Sequence, residues 1–550
     1  MPTIMFSLND LQNLLKRKIK IQQLKELFHY AKGSFEDYDE EEDEVKADFT
    51  DTNLPYLWSV EGIYRLIKGI IGKEKGIPKF KVNKSKYSLV VDRSVKKIRP
   101  YIAAFVAKEH KVDDYLIKQI IQLQEKLSET YGRKRKKIAI GVYSHKKIKY
   151  PIYYKAIDPE SIKFVPLEFR KEMTQKQILE EHPKGKEYAW ILKDFKKYPI
   201  LIDDKNEVLS FPPIINSNTT GKIEEDDDEI FFEATGINLE EVLLVTNIFA
   251  QALYDRGFKI YSVNVKYPDK KITTPYLFNE KIKIKRETIK ELLGLDLKES
   301  EIKKLLERMR YNYVRGKALI PPYRKDILHE VDVIEDIAIS YGYDKIKSLP
   351  LTTYSIGNKL PIVEFIDKVR EIVIGLGYQE ILSPILINKD VLYEKMNIQD
   401  FGTVEIDHYM SETYSVVRTW LLPILMEFLQ KNRHIEYPQK VFEQGPVTVR
   451  KGDEIKDYER IAIVSAHEKT DFTETKQVLD SLFRDLGINY EIEETEHGSF
   501  IEGRVGRVVF NGKEIAYIGE ISPVVLKNFG LSVPVSAMEI NLSELFEAIK

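Results

Sequence analysis

Cysteine is absent from the 550 residues, which excludes disulfides, thiolate nucleophiles, Cys-ligated zinc and iron–sulfur clusters. Histidine is scarce, at 9 residues, so any metal has to rest mainly on carboxylates. Neither sign of charge is in excess: 85 Lys+Arg stand against 87 Asp+Glu, for a formal net charge of −2. That balance excludes a grip on nucleic acid or membrane by bulk charge, while leaving room for a local basic patch. No apolar run approaches the ~18 residues of a membrane span. Met1–Asp10 lacks a charged leader followed by an apolar core, so the expectation is a cytoplasmic protein without membrane contact. Nucleotide-binding and hydrolase signatures are missing too. The chain has no Gly-x-x-x-x-Gly-Lys phosphate loop, no His-Glu-x-x-His helix and no Gly-x-Ser-x-Gly elbow, and Gly375-x-Gly377 follows a helix where a strand is required.

With 43% hydrophobic and 31% charged residues, the chain is globular, and its length predicts about three to five domains. Its Cys-free, Lys- and Glu-rich composition is that of heat-adapted proteins. Leu8, Leu11, Leu14 and Leu15, behind a Ser7 cap, predict a first helix. The acidic run Glu36–Glu44, interrupted only by Tyr38, reads as a solvated loop, because charges this dense repel and stay hydrated. From Lys86 to Tyr267 short Val- and Ile-rich strands alternate with long helices. One helix carries Leu116, Ile120, Leu123 and Leu127; another starts at Asn238, runs through Val242, Val245, Phe249 and Leu253, and stops at Gly257. The basic run Arg133–Lys137 suits RNA phosphates as well as it suits a helix C-terminus. Residues 271–349 read as a compact unit with helices over Arg286–Leu293 and Ser300–Tyr311, and an α/β region of about 200 residues follows.

Two clusters carry chemistry. Leu328, Val331, Ile334, Ile337 and Tyr341 repeat at helical spacing, which places Asp332, Glu335 and Asp336 on one surface with Asp326 near the helix start. Such an oxygen-only set suits Mg²⁺, and it also suits a solvated acidic face at a helix N-terminus. The second cluster, Ser210-Phe-Pro-Pro-Ile-Ile-Asn-Ser217 with Phe232-Glu-Ala-Thr-Gly236, reads either as a polar-lined pocket or as plain turns.

On these stretches the chain resembles the β subunit of phenylalanyl-tRNA synthetase in its archaeal/eukaryotic form. Tyr323-Arg-Lys-Asp326 through Glu335-Asp336, Trp58-Ser-Val-Glu-Gly62, Val417-Arg-Thr419 and Val441-Phe-Glu-Gln-Gly445 follow in the family's order. The resemblance implies a multidomain α+β chain of four modules: an N-terminal module (1–85), an editing module (86–270), a winged-helix-like module (271–350) and a class II synthetase-like antiparallel-sheet domain (351–550). It implies an α-subunit partner in an α2β2 assembly, tRNA(Phe) and ATP as substrates of the complex, and Mg²⁺ on Asp326, Asp332, Glu335 and Asp336. It implies an editing pocket of Leu201, Ser210, Asn216, Glu233 and Thr235 that hydrolyses mischarged Tyr-tRNA with a positioned water. The chain ends at Lys550, from which most tRNA recognition is expected to fall to the partner.

Class II chemistry uses an Arg two residues before a Glu to hold the ATP α-phosphate. Here Val441 occupies that position before Glu443, and neither Glu307-Arg308 nor Glu459-Arg460 follows a Gly-rich stretch. The last domain is therefore expected to be a look-alike that forms no adenylate, with no residue of this chain catalysing aminoacylation. A free-standing aminoacyl-tRNA deacylase and a DNA-binding scaffold are the alternative readings.

Overall fold

The computed structural model describes residues 2–49 and 51–550. They fall into two compact units, Met1–Pro350 and Leu351–Lys550.

The first unit opens with a three-stranded sheet of Thr3–Ser7, Gly33–Asp39 and Glu44–Phe49. Ser7 Oγ accepts from Asp10 N at 3.0 Å and caps the helix Leu8–Leu15. The acidic run is not the expected loop but a β-hairpin: Asp39 pairs with Glu44, and Val45, Ala47 and Phe49 alternate into the core beneath the exposed carboxylates. Asp43, in the turn, accepts from Asn9 N at 3.0 Å and so sits at the positive end of the first helix.

An eleven-stranded mixed sheet dominates this unit. Along it run Ile215–Asn216, Val208–Phe211, Tyr198–Ile202, Ile152–Ile157, Ser88–Val91, Lys259–Lys266, Tyr101–Lys108, Glu229–Gly236 and Ile138–Ser144 in that order. The helix Leu239–Asp255 packs on the Tyr101–Lys108 and Glu229–Gly236 strands. Asn238 Oδ1 caps it from Glu241 N at 3.2 Å, and Gly257 ends it at φ 104°. The helix Asp114–Lys126 runs into a wider turn over Leu127–Tyr131 that stops at Gly132.

A continuous apolar core joins the N-terminal sheet, one face of the large sheet and the helices Arg286–Leu293, Glu299–Arg308 and Glu330–Tyr341. The last of these helices begins later than its apolar spacing suggested. His329 and Asp332 form a capping box, so Leu328 lies outside the helix at 86% exposure and Val331 is 44% exposed. Val333, Ile334, Asp336, Ile337 and Ala338 form the buried face instead.

In the second unit a seven-stranded sheet is antiparallel except for Gln379–Glu380, which pairs parallel with Gln439–Lys451. Pro361–Gly375, Phe472–Asp485 and Leu542–Ile549 share one apolar core, and Leu422–Lys431 packs into a second. Among the described residues no helix is long and apolar enough to cross a membrane.

Candidate functional site

The large sheet curls until its two edge strands meet, and the Ser210–Thr235 cluster lies at that meeting. Leu201 faces Ser210 across one strand pair, and Ser210 faces Asn216 across the next. From the opposite edge, Tyr143 places its hydroxyl 2.9 Å from Glu233 Oε1 and 3.3 Å from Asn216 Oδ1, donating to one at a time. Asn216 Nδ2 donates to Val142 O at 3.4 Å, which closes the seam. Thr235 follows Glu233 by two positions on the same strand and so shares its face. Buried Arg99 donates Nε to Thr235 Oγ1 at 2.9 Å and Nη2 to Thr235 O at 2.6 Å. Of the five residues of the expected pocket, Ser210, Asn216 and Glu233 lie at the Tyr143 hydroxyl, Leu201 stands opposite Ser210 in the register, and Thr235 is held by Arg99. Leu201 and Thr235 are fully buried, Ser210 and Glu233 nearly so, and Asn216 is half-buried at the mouth.

Sequence reasoning missed Tyr143, Arg99 and Gly141. A glycine is required at 141, directly opposite Glu233 in the register, because a Cβ there would lie 2.1 Å from the Tyr143 hydroxyl and 2.5 Å from Glu233 Oε1. The visible signal was a lone polar tip, Tyr143, directly after the apolar run Ile138–Val142.

Burial lifts the Glu233 carboxyl to about 8, against the Tyr143 hydrogen bond and the Arg99 charge, which both pull it down. It is a neutral acid at pH 7. Its Oε2 has no hydrogen-bond partner, and neither has Ser210 Oγ, although Ser210 lies beside the Tyr143 hydroxyl. Burial also lowers Arg99, to about 10, which leaves it charged. The site therefore offers a buried neutral donor and a hydroxyl, both without partners, in an apolar frame. A cavity of about 140 Å³ adjoins it, lined by Arg135, Lys184, Ser210, Asn216 and the Phe211–Ile215 turn.

The four carboxylates expected to hold a metal are parted. Arg324, 4% exposed, donates Nε to Asp326 Oδ1 at 3.1 Å and Nη1 to Asp336 Oδ2 at 2.7 Å. Tyr311 adds its hydroxyl to Asp336 Oδ2. Asp332 Oδ2 accepts from Leu328 N and His329 N at 2.7 and 2.8 Å, and Glu335 pairs with Lys32 at 2.8 Å. Each carboxylate already has its own cation or N–H groups, and among the described residues no three His, Asp or Glu side chains gather as a metal site. This arrangement does not fit Mg²⁺, which needs several convergent, unengaged oxygens.

In the second unit Glu443 is 1% exposed and paired with Arg418 at 2.5 Å, while Ser383 Oγ lies 2.7 Å from its other oxygen. Two of the stretches that carry the resemblance, around Val417–Thr419 and Val441–Gly445, therefore meet in a sealed ion pair. Val441 packs into the apolar core. A separate cavity of about 470 Å³ on this sheet contains Arg460 and Arg507, but Glu539 and Glu514 neutralise them at 3.0 and 3.1 Å. Arg460 Nε is left without a hydrogen-bond partner there.

Comparison with known proteins agrees with this architecture. Residues 346–542 match the family model described as phenylalanyl tRNA synthetase beta chain CLM domain, and residues 282–343 match the tRNA synthetase B5 domain. The phenylalanine–tRNA ligase beta subunit of Pyrococcus abyssi is 44% identical over 556 residues, covering 100% of both chains. That of Archaeoglobus fulgidus is 40% identical over 516 residues, covering 92% of each. A crystal structure of an N-terminal fragment of the Pyrococcus horikoshii phenylalanyl-tRNA synthetase beta subunit superposes with a TM-score of 0.60 at 44% identity, spanning 62% of this chain and 100% of the fragment. Matched from end to end at this level, the chain belongs to the family of phenylalanine–tRNA ligase β subunits.

Proposed function

We propose that this chain works with an α subunit to attach phenylalanine to tRNA(Phe) at the expense of ATP, in a cytoplasmic α2β2 assembly, and that its own chemical task is proofreading. The end-to-end family match supports the ligase reading, and the sealed Arg418–Glu443 pair supports assigning adenylate formation to the partner. On that reading the isolated chain shows no phenylalanine-dependent pyrophosphate exchange, and adding α restores it.

The observation that carries the proofreading reading is the orphaned pair, Glu233 Oε2 and Ser210 Oγ, in the buried seam. A phenylalanine pocket rejects a ring hydroxyl poorly, whereas a site built to hydrogen-bond that hydroxyl discriminates strongly. A phenol entering the seam satisfies both orphaned atoms. A phenyl ring leaves them buried and unpaired, at about 1–3 kcal/mol each. No side chain in the seam is an activated nucleophile, so the ester of a mischarged tRNA is cleaved by a water held by the pocket's polar groups. The test is deacylation of Tyr-tRNA(Phe) by the assembled enzyme. Asn216→Ala and Glu233→Ala let the mischarged tRNA accumulate; unchanged hydrolysis in both variants refutes the assignment.

A further inference from the structure

The basic run Arg133–Lys137, left between two readings by its sequence, takes an unusual shape. Arg133, Lys134 and Arg135 all adopt left-handed backbone, with φ of 49°, 50° and 63°. Three consecutive residues of this kind, none of them glycine, cost about 1–2 kcal/mol each, so the surrounding structure must hold them. Arg99 does so, donating Nη1 to the carbonyls of Arg135 and Lys136 at 3.1 and 3.0 Å. Lys134 N donates to Glu129 O at 2.8 Å. The turn leaves Arg133, Lys134 and Lys136 exposed.

A second segment lies against it. The Arg135 guanidinium stacks on Tyr188 at 4.3 Å, and Lys136 Nζ lies 5.9 Å from the ring centre of Trp190. Trp190 is 41% exposed, whereas Trp58 and Trp420, the other tryptophans, are 0% and 5% exposed. Around it the chain carries Lys184, Lys186, Lys193, Lys196 and Lys197 against only Glu187 and Asp194. In a chain of net charge −2, this is a local concentration of positive charge beside an open aromatic face. It is continuous with the candidate pocket: Arg135 Nη1 donates to Ile214 O at 2.9 Å, and Arg135 and Lys184 line the same cavity as Ser210 and Asn216.

We propose that the Arg133–Lys137 turn and the Lys184–Lys197 segment form a docking platform for the single-stranded 3′ end of an RNA. Its phosphates lie on Arg133, Lys134 and Lys136, and one unpaired base stacks on Trp190. Exposed aromatics between cations suit unpaired bases, whose π-faces are free, and not a duplex, whose bases are already stacked. The platform ends at the cavity, so a strand lying on it delivers its terminal residue to Ser210 and Asn216. That last step rests on the proofreading reading; binding of the strand does not.

The experiment titrates a four-nucleotide single-stranded RNA ending in CCA, carrying no amino acid, into the assembled enzyme and reads tryptophan fluorescence. Binding quenches Trp190. The quench disappears in Trp190→Phe, while affinity, read from the fluorescence anisotropy of a dye-labelled copy of the RNA, is largely kept in Trp190→Tyr, which retains a flat polar ring. The triple variant Arg133→Gln, Lys134→Gln, Lys136→Gln binds at least about tenfold more weakly, and its salt slope falls by about 2, as loss of three phosphate contacts to a single strand requires. A quench that survives Trp190→Phe overturns the proposal. So does unchanged affinity in the triple variant, or equal binding of duplex RNA or an acidic peptide. Quenching by the CCA probe combined with deacylation indifferent to both Asn216→Ala and Glu233→Ala supports the platform and removes only the proofreading reading.

Discussion

Replacing Glu233 by glutamine removes the titrating carboxyl from the pocket. Glutamine has the shape of a protonated glutamic acid, accepts the Tyr143 hydrogen bond at Oε1 and places a donor where Oε2 stands, but it does not titrate. Moving a carboxyl from its ordinary 4.5 to about 8 makes the ionised form about 5 kcal/mol less favourable in the folded chain. Below pH 4.5 both folded and unfolded chains hold the proton, and the stability contributed by the group is complete. Between 4.5 and 8 the unfolded chain releases the proton and the folded chain keeps it. Wild-type stability therefore falls relative to Glu233→Gln by about 1.4 kcal/mol per pH unit across that window and levels off above pH 8. For the 350 residues of the first unit, with an unfolding entropy of about 2.1 cal/mol/K per residue, this is about 2 °C per pH unit. Calorimetry of both proteins at pH 5, 6, 7, 8 and 9, read as the difference in Tm of the first-unit transition, cancels every other titrating group. A difference that stays flat from pH 5 to 8 means that Glu233 is ionised in the fold, and the neutral-donor argument fails with it.

Three further outcomes follow from the geometry. Arg324→Met strands Asp326 and Asp336 as buried charges and destabilises the first unit by about 3–5 kcal/mol in denaturant unfolding, whereas an effect below about 1 kcal/mol would mean that solvent already screens the pair. Gly141→Ala drives a methyl into Glu233 and Tyr143; about 1–3 kcal/mol is lost, and the seam no longer takes up a phenolic ligand in binding assays. Chelation by EDTA leaves the melting point of the isolated chain unchanged, because its carboxylates are paired internally, and a fall on chelation with recovery on added Mg²⁺ overturns that account.

Much of the architecture was legible along the chain. The Asn238 cap and the Gly257 stop bracket a helix that forms over Leu239–Asp255, and Arg286–Leu293 is a helix with the expected bounds. These signals are local: a cap, a period and a terminator lie within one turn of the groups they act on. The hairpin within Glu36–Glu44 was misread because its charges outweighed the alternation of Val45, Ala47 and Phe49. The partners of the carboxylates near Asp332 were hidden for a different reason. Helical spacing puts Asp332, Glu335 and Asp336 near one another, but Asp336 falls on the buried face of the helix while Glu335 is exposed. Arg324 then claims the buried one. The five pocket residues came from resemblance, and their roles came from partners that no spacing reveals. Tyr143 and Arg99 reach Glu233 and Thr235 across strands far apart in the chain, and the closure of a curled sheet is a property of the whole sheet.

The ion pair beneath Glu443 also bears on how this domain could change. Arg418 reaches Glu443 from a separate segment, and Gly445 leaves room for it: a Cβ there would lie 2.3 Å from Arg418 Nη2. An arginine introduced at 441 alone would find its glutamate already claimed and its own position walled by apolar side chains, a second guanidinium with no counter-charge. A chain carrying that arginine alone is less stable than this one. The packing around position 441, and not only the residue that stands there, thus opposes a guanidinium on this strand.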